Sequence, residues 1–174
     1  MLKDCSDAYE LLKVLGAPDR LIRHAQLVSE AADLLLTEFQ ALGVPCDTSM
    51  IQLGAVLHDA GKISHPQELS GPGSMHEQAG ELLLLAHGVQ PEVARICASH
   101  GIWDSLHVSF EERVVALADK LWKGKREAAL EPSVIDEIAA RLGRSRWDIF
   151  EQLDSAFEQI AEAGTKRLQE SRST

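Results

Sequence analysis

Met50-Ile51-Gln52-Leu53-Gly54-Ala55-Val56-Leu57-His58-Asp59-Ala60-Gly61-Lys62 starts as an apolar segment and finishes on an adjacent histidine and aspartate. The pattern predicts a helix over residues 50–60, ended by Gly61 and a loop. His58 and Asp59 are both costly to bury without partners, and one divalent metal would satisfy the two together. A His-Asp dipeptide alone is more often a hydrogen-bonded core histidine beside a surface aspartate. The rest of the chain has to decide between them.

Outward from this stretch, nearly every segment has helical period and almost nothing alternates as a strand would. Residues 6–15 read as a short helix stopped by Gly16, and Pro18 opens the next, which runs to Leu42. Leu21, Ala25, Val28, Ala32, Leu35 and Phe39 make its apolar stripe. His24 stands three residues before Leu27 and four before Val28, so it faces inward. Asp47, Thr48 and Ser49 supply N-caps for the helix leading to His58. Residues 63–74, rich in Gly, Pro and Ser, predict a loop. Further helices are expected over 75–87, 92–100, 110–123, 132–142 and 144–170, with Ser109 and Glu112 as a capping box before Phe110. Residues 171–174 are expected to fray. With no repeat, low-complexity tract or linker, the expectation is one all-α domain over residues 1–174, its motif-bearing core about 18–125 and its C-terminal helices 132–170 packed on that core.

The composition excludes several function classes. At 174 residues, 45% hydrophobic and 25% charged, the chain reads as an ordinary globular protein. A formal charge of −10 argues against binding a nucleic acid polymer or an anionic membrane. No run approaches the roughly 18 apolar residues a membrane span needs, and the N-terminus has no apolar signal core. Cys5, Cys46 and Cys97 are widely spaced and form no CxxC, as reduced cytoplasmic thiols would be.

Three more positions resemble the His58-Asp59 pair in setting. His76 begins a helix after a loop, His100 closes another before Gly101, and Asp119 interrupts the apolar run Val114-Val115-Ala116-Leu117-Ala118. Each has an ordinary reading: a polar helix start, a partner for a helix dipole, a salt bridge to Lys120 or Arg113. Taken with His24, they give four imidazoles and two carboxylates on inward-facing helical positions, the ligand supply of a two-metal site. Imidazole with carboxylate suits iron, manganese, zinc or nickel, and the lack of a nearby Cys argues against thiolate-bound zinc.

The pattern His24, then His58-Asp59 in a His-Asp-x-Gly-Lys setting, then Asp119 in Leu-Ala-Asp-Lys, resembles the HD superfamily of metal-dependent phosphohydrolases over roughly residues 20–125. The resemblance implies an HD-domain bundle of five or more helices with a metal held by His24, His58, Asp59 and Asp119. His76 and His100 match the extra histidines of members with two metals, where Asp59 would bridge. It therefore implies a divalent transition metal cofactor, two ions, iron or manganese, with zinc, nickel, cobalt or magnesium as alternatives. HD-GYP phosphodiesterases look similar here, but Ser99-His100-Gly101 stands in this chain without a Gly-Tyr-Pro, which speaks against cyclic-di-GMP. Bacterial symmetrical diadenosine tetraphosphatases and small di-iron oxygenases share the six-ligand layout.

On the substrate side, Lys62 leaves the metal-bearing helix end toward solvent, where it is expected either to meet a phosphate oxygen or simply to balance a helix C-terminus. Lys120, Lys123, Lys125 and Arg126 concentrate cations after Asp119, as a positive rim or as a solvated charge run. His65 is a candidate to stabilise a leaving group. Trp103 or Trp122 is a candidate to stack a base, Trp122 being the better suited to the core. His87 and His107 read as surface residues. The leading expectation is a phosphohydrolase for a nucleotide or other small phosphate ester, with Asp59 bridging the metals and Lys62 stabilising phosphoryl charge. The absence of a Gly-rich phosphate loop favours hydrolysis over kinase-type transfer. The alternative is a mixed-valent di-iron oxygenase on a small substrate. A degenerate regulatory module would be expected to have lost a ligand, and all six are present. The partner is expected to be a small anion, in the cytoplasm, with the chain a monomer or a homodimer.

Overall fold

The computed structural model describes residues 1–173, and among them the chain is helical with no strand. Helix α1 is Cys5–Val14, capped by the Asp4 side chain, which accepts from the Asp7 N–H at 3.1 Å. Helix α2, Asp19–Leu42, buries the stripe read from the sequence and ends at Gly43, whose φ of 76 is the left-handed close that glycine adopts without penalty. Helix α3 is Thr48–Leu57, with Asp47 accepting from the Met50 N–H at 2.9 Å. There follow α4 (Met75–Ala86), α5 (Pro91–Ala94), α6 (Ile96–Ser99), α7 (Phe110–Leu121), α8 (Leu130–Leu142), α9 (Arg146–Glu162) and α10 (Gly164–Arg172). The Ser109–Glu112 capping box at the start of α7 forms as expected. No helix among the described residues is long and apolar enough to cross a membrane.

Helix α3 explains how a His-Asp pair reaches the interior. Ile51 and Ala55 belong to a core shared with α2, α7, α8 and α9, while Leu53, Val56 and Leu57 belong to a second core with α1, α5 and Cys97. From Leu53 to Leu57 the helix is buried and apolar on every side, so whatever follows its last turn emerges in the middle of the protein. Gly54 is part of this fit, since a Cβ there would meet Ile96 Cδ1 at 2.4 Å.

Three expected helices are divided, each at a place where the chain is drawn toward a distant neighbour or changes its hydrogen bonding. The helix expected over 50–60 ends at Leu57; His58 caps it, Asp59 turns out of the helix (φ −104, ψ 13), and a 3₁₀ turn follows over Ala60–Ile63. That turn packs tightly on α4. A Cβ on Gly61 would lie 1.8 Å from the His76 carbonyl oxygen and 2.6 Å from the Gly80 nitrogen. The segment expected as one helix over 92–100 is α5 and α6, separated at Arg95. The long C-terminal helix expected over 144–170 breaks at Ala163, because Gly164 abuts Gly124: a Cβ on Gly164 would lie 2.0 Å from the Gly124 nitrogen. Helix α10 thus turns back against α2, held by Arg23–Glu170 at 2.8 Å and by buried Arg167, which lies 3.6 Å from Glu30 of α2 and donates to the Ile160 carbonyl of α9 at 2.5 Å. The loop over 63–74 also contains a 3₁₀ turn, Pro66–Leu69. Ser171 is buried within α10 rather than frayed; the same expectation for Thr174 lies outside the described residues.

Because backbone atoms block the new methyl, Gly61→Ala should destabilise the protein by about 2 kcal/mol or more, worth roughly 2–4 °C of Tm per kcal/mol in a chain of this size. Gly71→Ala is the control, its methyl meeting a single atom, the Gln67 carbonyl oxygen, at 3.3 Å. Equal melting temperatures for the two variants would contradict the packing described.

Candidate metal centre

Five elements deliver the polar side chains that meet below α3. His24 comes from the first third of α2, His58 and Asp59 from the end of α3, His76 from the first turn of α4, His100 from the end of α6, and Asp119 from α7. They form two groups, His24 with His58 and Asp119, and Asp59 with His76 and His100, with the ligand atoms of each group all within 4.8 Å of one another.

Asp59 joins the groups. Its Oδ2 lies 3.0 Å from His24 Nε2 and 3.7 Å from His58 Nε2, while its Oδ1 lies 3.2 Å from His76 Nε2 and 3.6 Å from His100 Nε2. Asp119 Oδ1 completes the first group, 3.3 Å from His58 Nε2 and 3.8 Å from His24 Nε2. The opposite ring nitrogens are tied to acceptors. His58 Nδ1 donates to the Ala55 carbonyl at 2.9 Å, His100 Nδ1 to the Ile96 carbonyl at 3.1 Å, and His76 Nδ1 contacts Glu68 Oε2. A carbonyl acceptor requires the proton on Nδ1, which leaves the neutral ring's Nε2 lone pair facing the shared space, as metal-binding imidazoles require. Glu68 is itself fixed by the backbone N–H groups of Met75 and His76, each at 3.1 Å.

This donor set fits a divalent cation. His76 Nε2 is buried and, though 3.2 Å from Asp59 Oδ1, makes no hydrogen bond. A buried ring nitrogen without a partner is costly, and a metal ion is a partner that a carboxylate oxygen and an imidazole lone pair can share. Without an ion the cluster is held by protons. Burial pushes the His58 pKa down, but the Asp59 and Asp119 carboxylates raise it above the ordinary value; His76 is likewise raised by Asp59 and Glu68 against burial. Burial opposes ionisation of Asp59 and Asp119, yet the surrounding histidines hold both well below the usual carboxylate range. Burial and the nearby His58 charge lower His100.

Beside Asp59 and His24 opens a cavity of about 470 Å³, a size suited to a small organic ligand. Trp122 forms part of its wall, its ring perpendicular to that of His24 at a centroid distance of 4.9 Å. Lys62 also lines it, but its side chain is only 19% exposed and its Nζ is 2.7 Å from Asp59 Oδ2, so it stands at the metal end rather than projecting into solvent. Of the cations after Asp119, Lys123 lines the cavity. Lys120, one residue round the helix from inward-facing Asp119, does not, nor does exposed Lys125. Arg126 is bound to Glu131 and Asp154, each at 2.6 Å, and to Glu158, which makes it a tie to α8 and α9 rather than part of a rim. His65 precedes the Pro66–Leu69 turn without a side-chain cap and does not line the cavity, and Trp103 packs against the main core beside a separate cavity with Arg113 and Ser133. His87 and His107 are exposed, as expected. Glu68, Arg20 and Arg172 were not singled out from the sequence, and all three line the cavity. Glu68 lies in an aperiodic loop, and the arginines sit at helix ends where a surface cation is unremarkable.

The protonated cluster has a consequence for stability. With folded-state pKa values raised above 6.5, His58 and His76 contribute stability that is complete below that pH and lost as pH rises through their folded values. The chelator-treated protein should therefore lose thermal stability as pH rises above 6.5. A bound metal displaces those protons and binds better as pH rises, so loading with manganese or iron should remove or reverse the slope. Identical slopes with and without metal, measured by thermal unfolding, would count against the site.

Comparison with known proteins agrees with this geometry. The chain is 29% identical over 154 residues to the uncharacterized protein MJ0778 of Methanocaldococcus jannaschii, covering 79% of this chain and 86% of the relative. No solved structure matches. The HD domain model matches residues 20–122, which include all six of the clustered side chains. The chain belongs to the HD domain family.

Proposed function

We propose that the protein is a metal-dependent phosphohydrolase acting on a nucleotide or another small phosphate ester. The observation that carries this reading is the pairing of two His/Asp groups through Asp59 at the floor of a cavity whose other walls are rich in cations. His24, His58, Asp119 and one Asp59 oxygen would hold one divalent ion; His76, His100 and the other oxygen would hold a second. Iron or manganese suits these donors. When bound, such ions supply an acidified water and Lewis-acid polarisation of phosphoryl oxygens.

The chain's own residues do the rest. Asp59, spanning both groups, fixes where the attacking water sits relative to the phosphorus. Glu68 holds His76 in the tautomer that leaves Nε2 free. Lys62, on the cavity wall beside Asp59, is placed to donate to a phosphoryl oxygen as charge accumulates there. Trp122 backs His24 and keeps water from that side. A di-iron oxygenase would draw on the same six side chains, but the cations around the cavity favour phosphate.

Lys62 is the residue that separates the two readings. Lys62→Ala should lower phosphate release by about 10²-fold or more, the scale of losing one donor to developing charge, with metal content unchanged. Unchanged kinetics with intact metals would favour the oxygenase reading.

A further inference from the structure

Resting on the phosphohydrolase reading, we propose that the cavity contains a second anion subsite, formed by Arg20, Lys123 and Arg172, which selects phosphate esters that carry a second anionic group. The three cations come from separate elements, the first turn of α2, the residues just after α7 and the end of α10, yet all line the cavity that reaches Asp59 and His24. None of the three makes an ion pair among the described residues, whereas Arg23, Arg126, Arg141 and Arg146 each hold a carboxylate. Lys3, Arg113, Lys120, Lys125 and Arg144 make none there either, but Arg20, Lys123 and Arg172 are the ones that share a cavity with Asp59 and His24.

The acidic side chains on the same wall do not cancel them. Asp59 is turned into the histidine cluster and held by Lys62, and Glu68 is engaged by His76 and two backbone N–H groups. The metal end can therefore neutralise the scissile phosphate without drawing on Arg20, Lys123 or Arg172. Leu21, Trp122 and Leu168 give the cavity apolar wall that can cover the uncharged body of a substrate. An anion bound to the three cations gains charge-assisted hydrogen bonds that an ester with one phosphate cannot make. Lys123 and Arg172 lie beyond residues 20–122, so two of the three cations come from outside the family match, Arg172 on a helix docked by the Gly124–Gly164 contact.

The test uses paired substrates on the metal-loaded full chain: a nucleoside 5′-monophosphate against its 3′,5′-bisphosphate, and glycerol phosphate against phosphoglycerate. The first pair adds a phosphate and the second a carboxylate. Wild-type protein should prefer the doubly anionic member of at least one pair. Arg20→Gln combined with Arg172→Gln should reduce that preference, read as a ratio of kcat/KM values, by about tenfold or more. Arg20→Lys, which keeps the charge, should retain most of it. Equal preference in wild type and the double variant overturns the subsite. If loaded wild-type protein releases phosphate from none of the four compounds, the hydrolase reading fails separately. The subsite is then read from calorimetric binding of inorganic pyrophosphate to chelator-treated protein: about tenfold weaker binding in the double variant supports it, and equal binding overturns it.

Discussion

A carboxylate buried among four imidazoles has to be neutralised by something, and the architecture follows from where Asp59 is put. Its two oxygens face different pairs of histidines, Oδ2 toward His24 and His58 and Oδ1 toward His76 and His100. The position is imposed by a helix whose second half, Leu53–Leu57, is apolar throughout, packs in two cores and ends there. The turn after it is held on α4 by Gly61, where a methyl group would have no room. The glycine of the His-Asp-x-Gly-Lys stretch is thus a packing requirement, with no left-handed φ involved. It sets the distance between the end of α3 and His76.

Much of this was legible in the sequence, for identifiable reasons. The all-α fold follows from uninterrupted helical periodicity, and the inward aim of His24 follows from its spacing to Leu27 and Val28. The clustering of His58, Asp59, His76, His100 and Asp119 could be suspected because each is a polar residue at the end of an apolar helix or within one. What stayed hidden depends on distant contacts. Arg126 looked like a free cation because two of its three partners, Asp154 and Glu158, lie 28 and 32 residues further on, Glu131 alone being near in sequence. The break before α10 depends on Gly124, and the role of Glu68 as support for His76 arises in a loop with no pattern to read.

The side chains around the cavity come partly from within the HD domain match and partly from beyond it. The six clustered side chains lie within residues 20–122 and belong to the HD domain. Leu168, Ser171 and Arg172 reach the cavity only because α10 folds back on α2. In this account the shared helices fix the chemistry and the C-terminal helix narrows the choice of substrate. The low identity to MJ0778, 29%, leaves ample room for such a division between related chains.

The central claim is that Asp59 spans two ions, and anomalous diffraction from crystals loaded with manganese or iron tests it directly. The account predicts two anomalous peaks about 3.5–4 Å apart, one Asp59 oxygen on each, with His24, His58 and Asp119 around the first and His76 and His100 around the second. A map with no ion between these groups, or with Asp59 bound only to Lys62, would contradict it.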